Sequence, residues 1–318
     1  MRYIIDFSNW SVKFRSVVDT FIMNEAGIKV YTGELKGFVT SLRYLSRIPD
    51  IEICVVLDGT PVASKKILPQ YKGNRGAEDI KICIPPATVL SGLQQLIDTE
   101  GLPVKFYAAP GQEADQCISS IAYLSAGLVT PKMRKLCSLI RCTPEDDSRL
   151  HKYRGTYAKT DFDVCSDVVI ATTDADMYQL QATCGVGIDT SCSFDSVVTT
   201  TPDSVHGVSI YGILPYKILL GDSSDNIPSL SNLPCTKVSI ERELATFTKE
   251  DLTAFCDGMC DDRFKSIKAC LEKSRGDVAF HSEFMRNRAV TELKYFGNIH
   301  EFTPESLSYT VLDMYGIH

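Results

Sequence analysis

The sequence predicts an α/β protein: a mostly parallel central sheet with helices on both faces, followed by a mainly helical C-terminal region. Three observations lead there. Short apolar runs, the signature of strands buried in a parallel sheet, recur at 3–6 (YIID), 51–58 (IEICVVLD), 104–109 (VKFYAA) and 167–173 (DVVIATT). Stretches of helical period separate them. Several runs end on or just before an acid, and ligand sites in open α/β sheets lie beyond the carboxyl ends of the strands.

The run YIID is the first strand. Leu35, Phe38, Val39, Leu42 and Leu45 then fall on one helical face ahead of the second run. That β–α–β crossover makes the first two strands parallel. Helices over about 87–100 and 111–126 flank the third run, DVVIATT is the fourth, and 186–190 is a fifth strand. From about residue 213 strand signals fade, and helices are expected over 213–220, 237–246, 261–273 and 277–288. The chain thus divides into an α/β core over 1–212 and a helical region over 213–318.

Hydrophobic content of 44% and charged content of 23% are those of an ordinary water-soluble globular protein. No apolar run reaches the roughly 18 residues needed to span a bilayer, and MRYIID reads as a strand rather than a signal peptide. The twelve cysteines include no C-x₂-C pair, the nearest approach being Cys256 and Cys260. They are expected to be reduced core thiols in a cytoplasmic protein, host cytoplasm if the source is viral, and not a zinc framework.

Eight carboxylates in five stretches carry the functional reading: Asp6 (IIDFSNW), Asp58 (VVLDGT), Glu113 and Asp115 (PGQEADQC), Asp174 and Asp176 (TTDADMYQL), and Asp222 and Asp225 (LLGDSSDNIPSL). Each has a bland alternative. Asp176 reads first as the N-cap of the helix it opens, with Asp174 between strand end and cap free to act as a ligand. Glu113 and Asp115 sit where acids favour a helix dipole, Asp58 precedes a turn glycine, and Asp222 and Asp225 suit a polar helix–loop junction. Asp6 is hardest to dismiss, because a lone buried carboxylate costs free energy. Together at one sheet edge the eight would repel unless divalent cations neutralised them. Oxygen donors suit Mg²⁺, with Mn²⁺ as a substitute, before zinc. Two such ions about 4 Å apart form a clamp for phosphodiester cleavage. The net charge of −7 argues naively against a nucleic-acid partner, but setting the eight acids aside leaves +1.

A second constellation is Tyr71-Lys72-Gly73-Asn74-Arg75, preceded by Lys65 and Lys66. Lys72 and Arg75, three apart, share a helical face and suit a phosphate, Arg by paired bonds and Lys as a point charge. Tyr71 offers a ring face to a terminal base. The plain alternative is a solvated basic loop.

In this order these stretches resemble the 5′ nuclease family: bacteriophage 5′→3′ exonucleases, the 5′-nuclease domain of bacterial DNA polymerase I, and flap endonucleases. The resemblance covers most of residues 1–235 and is most specific at YKGNR, EAD, TDADMYQL and GDSSDNIP. It implies a PIN-like core, a helical arch over about 64–90, and a helix–hairpin–helix that grips duplex DNA. It also implies two-metal hydrolysis of phosphodiesters near a free 5′ end, flap or single-strand/duplex junction, RNA–DNA hybrids included. The two ions would activate water and stabilise the charge developing on the phosphate and the leaving 3′ oxygen. Asp6, Asp58, Glu113, Asp115, Asp174 and Asp176 match the family's metal-binding acids, with Asp222 and Asp225 on its further acids. Lys72 and Arg75 match the basic pair at the arch base, and Tyr71 the aromatic beside them. Lys13 or Arg15 supplies a further phosphate contact, and Lys237 matches the hairpin lysine. The implied role is primer or flap removal in DNA replication or repair by a monomer, or host-DNA degradation for a viral protein.

Two departures from the pattern stand out. Gln116 stands at the fourth position of EADD, replacing its last acid, which is expected to tune one metal site. The hairpin over about 226–238 lacks its glycines, which counts against a monovalent-ion site built from its carbonyls. A basic insertion over about 126–166 is added. Between Thr130 and Thr160 it holds eight Lys and Arg against Glu145, Asp146 and Asp147, a balance of +5. It reads as an added DNA-contacting hairpin or a docking site for a replication protein. The rivals are a PIN-type ribonuclease, disfavoured by YKGNR and GDSSDN, and a non-catalytic nucleic-acid scaffold, disfavoured by the full set of acids.

Overall fold

A computed structural model describes every residue except 74–80, 138–141, 192–196, 203, 206 and 318. In chain order its elements are β1 (Arg2–Asp6), α1 (Phe7–Val17), β2 (Phe21–Met23), β3 (Lys29–Tyr31), α2 (Gly33–Leu45), β4 (Glu52–Leu57), α3 (Val62–Ile67), α4 (Pro86–Glu100), β5 (Val104–Ala108), α5 (Ala114–Ser125), α6 (Pro131–Cys137), β6 (Gly155–Lys159), β7 (Val168–Ala171), α7 (Tyr178–Cys184), β8 (Gly187–Asp189), α8 (Ile213–Leu220), α9 (Lys237–Leu244), α10 (Lys249–Cys256), α11 (Lys265–Gly276), α12 (Val278–Thr291), β9 (His300–Pro304) and α13 (Val311–Met314).

The main sheet has seven strands in the order β6-β9-β5-β4-β1-β7-β8. The five from β5 to β8 are mutually parallel, and β9 runs antiparallel to both of its neighbours. The register sets Asp6 beside Val56 and Ile5 beside Ala171. The acid-bearing ends of β1, β4 and β7 therefore lie level.

Alternation along the strands gives each face its own core. Ile4, Cys54, Val56 and Ile170 pack under α5, α7, α8 and the later helices. Tyr3, Ile5, Ile53, Val55 and Phe106 pack under α1, α2 and α4, against Trp10, Phe14 and Phe38. The five residues read as one face of α2 are all buried. On the second face Gly37 is required, because a Cβ there would lie 2.4 Å from the Phe14 ring. No helix among the described residues is long and apolar enough to cross a membrane.

The structure adds elements that were not expected from the sequence, among them α1, β2, β3, β6 and β9. The helix α1 begins directly on Asp6, where only a strand end was expected. The region after 213 is not wholly helical, since β9 returns to the sheet between β5 and β6. Its sequence, HEFTP, has no apolar run. It buries alternate residues, Phe302 and Pro304, as a half-covered strand does. Its partner β6 lies inside the basic insertion, which is thereby tied to the sheet.

Candidate metal centre

Six of the eight acids close or follow the parallel strands β1, β4, β5 and β7, and the other two follow α8. Asp6 closes β1 and caps α1, accepting the Asn9 N–H at 3.0 Å. Asp58 follows β4 and accepts the Ala114 N–H at 2.8 Å, tying that strand end to the start of α5. Glu113 caps α5, with Gln116 completing a capping box by accepting the Glu113 N–H at 3.3 Å. Gln116 thus has a structural task at the position where an acid was expected. Beyond β7 the cap is Asp174 and not Asp176. The Asp174 carboxylate accepts the Asp176 N–H at 2.9 Å and starts a single 3₁₀ turn. A cap must precede the turn, and the turn begins at Ala175, two residues earlier than a cap at Asp176 would place it. Asp222 and Asp225 lie in the turn after α8, where Asp222 exchanges both backbone hydrogen bonds with Ile227.

Two adjoining clefts collect these side chains. One, of 450 Å³, is lined by Asp6, Asp58, Glu113, Asp115 and Asp174, together with Lys13, Lys72 and Arg149. The other, of 510 Å³, is lined by Asp174, Asp176 and Asp222 with Lys217 and Lys237. Asp225 joins Glu113, Asp115 and Asp176 around a small void between them. A larger cavity of 660 Å³, bordered by Arg134, Lys159 and Asp161, contains none of the eight acids.

The crowding shows in the proton affinities. Burial, with the Asp58 and Asp174 charges added, pushes the Asp6 carboxyl up to about 7. Burial and the neighbouring Asp174 hold Asp115 well above the usual range. Burial lifts Asp176 to about 6 even against the opposing Lys217 ammonium. At Asp222 burial is outweighed by Lys217 and Ser224, and its carboxyl ends below the ordinary value.

The basic and aromatic residues are placed as follows. Lys72, with a positive φ of 54°, reaches Glu113 Oε1 at 2.8 Å and Asp225 at 3.7 Å. Burial opposes its charge, but Asp115, Glu113 and Asp225 together hold its ammonium above the ordinary lysine range. Tyr71 is 5% exposed and donates its hydroxyl to Glu113 Oε2 at 3.0 Å and Asp225 Oδ2 at 3.1 Å. Its ring packs with Leu68 and Ile227. The expected stacking surface is therefore covered, and the residue braces two acids. Arg75 lies outside the described residues. Lys65 and Lys66 are exposed on the last turn of α3. Lys13 lines the first cleft and donates to the Ser191 carbonyl, whereas Arg15 pairs with the buried Glu34 at 2.6 Å. Lys237 opens α9 and borders the second cleft.

Three further residues escaped the sequence reading. Lys217 pairs with Asp176 and, at 2.5 Å, with Asp222. A single lysine in the apolar helix ILPYKILL was the available signal, since such a charge needs an acid. Arg149, one among eight basic residues of the insertion, lies 4.0 Å from Asp58. Asp147, counted only as an opposing charge, is fully buried.

The donor set fits a hard divalent cation. Asp176, Asp222 and Asp225 each offer a carboxylate oxygen, all within 4.8 Å of one another. Asp176 Oδ1 is buried, and the Lys217 ammonium is its ionic partner. All-oxygen ligands of this kind suit Mg²⁺ or Mn²⁺.

No family model matches the sequence, and no curated protein does. Solved structures with a similar chain path include a bacteriophage T5 5′-exonuclease with divalent zinc ions bound, at 16% identity over 92% of this chain and 90% of that one, with a TM-score of 0.49. The catalytic core of Rad2 in complex with DNA substrate is similar at 16% identity, over 98% and 85% of the two chains, with a TM-score of 0.43. Human GEN1 in complex with Holliday junction DNA is similar at 14% identity, over 97% and 63%, with a TM-score of 0.44.

Proposed function

We propose that the chain is a metal-dependent 5′ nuclease hydrolysing phosphodiester bonds at or near the 5′ ends and flaps of DNA. One observation carries this reading: eight carboxylates from five stretches, six of them following parallel strands, line adjoining clefts. Proteins do not gather that much buried negative charge without a counter-cation. In this reading Asp6, Asp58, Glu113, Asp115 and Asp174 hold one cation, and Asp176, Asp222 and Asp225 a second. When bound, such ions supply Lewis acidity toward a phosphoryl oxygen and toward water.

The protein's own groups do the rest. Lys72, held between Glu113 and Asp225, presents a fixed positive charge to a phosphate entering the first cleft. Tyr71 keeps Glu113 and Asp225 in place from beneath. Lys13 and Lys237 border the clefts, and with the exposed Lys65 and Lys66 of α3 they suit the strand backbone. The turn between α8 and α9 serves as the duplex-gripping hairpin, and the chain divides functionally into the 1–212 nuclease core and the 213–318 region. Mg²⁺ as the physiological ion, a role in replication or repair, and a replication-protein partner at the basic insertion complete the proposal.

The test is cleavage of a 5′-labelled flap duplex in Mg²⁺, with EDTA and an Asp174→Asn/Asp176→Asn double variant beside it. Metal-dependent products near the junction, absent with the variant, are expected. A duplex that stays bound but intact in both Mg²⁺ and Mn²⁺ would sink the enzyme reading in favour of a scaffold.

A further inference from the structure

The basic insertion reaches the acid cleft through a single turn, and that turn is built on a buried carboxylate. Asp147 is 0% exposed. It accepts from the Thr60 N–H at 2.9 and 3.0 Å, the Thr60 hydroxyl at 2.7 Å and the Gly111 N–H at 2.7 Å. It also accepts from the N–H groups of Arg149 at 3.0 Å and Leu150 at 3.2 Å. Thr60 stands two residues after Asp58, and Gly111 two before Glu113. One side chain of the insertion therefore joins the two loops that carry cleft acids, and it sets the backbone of Arg149 against them.

The Arg149 side chain follows from that anchor. Its Nη1 donates to the Gly59 carbonyl at 3.2 Å and lies 4.0 Å from Asp58 Oδ1. The guanidinium borders the same cleft as Asp6, Lys72 and Asp174. Lys72 is committed to Glu113 and Asp225. Among the described residues, Nε and Nη2 of Arg149 have no partner, and they form the planar fork that matches phosphate oxygens. The plain alternative is an exposed arginine that merely closes a turn on Gly59. That role uses one donor and accounts for neither the buried anchor nor the placement beside the acids.

We propose that Arg149, held by the Asp147 turn, is a substrate-binding residue that contacts a non-bridging oxygen of the phosphodiester strand entering the first cleft. The proposal rests on the nuclease reading, yet its test separates the two. Binding of a fluorescent 5′-flap duplex is measured by anisotropy in EDTA across a salt series, for the full chain and for Arg149→Gln and Arg149→Lys. Arg149→Gln is expected to weaken binding about tenfold and to flatten the log–log salt dependence by about 0.7–0.9, one phosphate contact. Arg149→Lys keeps the slope. In the unaltered protein, the flap duplex is expected to shield Arg149 from phenylglyoxal, which keeps the test independent of variant folding. An unchanged slope with Arg149→Gln, or full modification of Arg149 in the complex, overturns the contact. A wild type that never cleaves in Mg²⁺ or Mn²⁺, with the slope loss intact, overturns the nuclease reading and leaves the phosphate contact standing.

Discussion

The ammonium of Lys217 donates to Asp222 Oδ2 at 2.5 Å, across the turn that ends α8. With its second partner Asp176, it acts as an internal counter-charge for part of the acid cluster. Removing one member of a buried charge set leaves the others uncompensated. Lys217→Met is therefore expected to lower stability by about 3 kcal/mol in EDTA. Mg²⁺ or Mn²⁺ should restore much of that loss, because either ion supplies the missing positive charge. Thermal melts with and without metal check it, and an equal loss in both conditions counts against a cation site beside Lys217.

Tyr71→Phe removes two hydrogen bonds to carboxylates and keeps the ring against Leu68 and Ile227. The expected cost is about 1–2 kcal/mol in urea denaturation. Affinity for a single-stranded 5′ end should be unaffected once the variant is folded. A selective loss of that affinity at unchanged stability would instead mean that the ring becomes uncovered and stacks on a base.

Asp147 gives a pH signature. Burial pushes its carboxyl up, but the hydrogen bonds from Gly111 and Thr60 outweigh it and leave it below its ordinary value of 3.8. A depressed folded value means stability fully present above the unfolded value and lost as pH falls through the folded one. Asp147→Asn is expected to cost about 2–3 kcal/mol at pH 7. The gap between variant and wild type should shrink below pH 4, as urea titrations at pH 7 and pH 3 would reveal.

The raised carboxyls act in the opposite sense. Asp6 titrates near 7 and Asp176 near 6, both above the ordinary 3.8. Without metal the folded protein binds more protons than the unfolded chain, so stability falls as pH rises from about 4 to 7. A bound divalent ion should remove that slope, and its binding should release protons at pH 6 and almost none at pH 8. Calorimetry of Mn²⁺ binding in two buffers of different ionisation enthalpy measures the release.

Arg15 and Lys13 are alternatives on one helix, and the structure separates their surroundings. Arg15→Ala strips the buried Glu34 of its 2.6 Å partner, so a lower melting temperature with unchanged salt dependence of DNA binding is expected. Lys13→Ala should do the reverse. The paired melts and salt titrations fail this assignment if Arg15→Ala flattens the salt slope.

The parallel strands were readable because burial on both faces writes them as apolar runs, and the acids were readable because those runs stop on them. The strands β6 and β9 were not. GTYAK is short and almost wholly exposed, HEFTP is short and half covered, and their pairing partners lie far away in sequence. The eight acids singled out in the sequence do line adjoining clefts, but their counter-charges were harder to assign. Lys217 and Arg149 acquire meaning from which acid they face, a tertiary fact with only a faint local trace. Tyr71 shows the limit in the other direction. Its motif was legible, while the burial of its ring depends on Ile227 and Asp225, both distant in the chain.

Because β9 occupies the place between β5 and β6, the basic insertion cannot complete its attachment when it first leaves the ribosome. The backbone groups of residues 155–159 must wait, unpaired, until residues 300–304 have been synthesised and have slid in beside β5. The order of assembly is thus the reverse of the order of synthesis at this edge. A nascent chain stalled before residue 300 would carry the acid-bearing sheet centre and a basic arm tied to it by the Asp147 turn but lacking its β6 pairing.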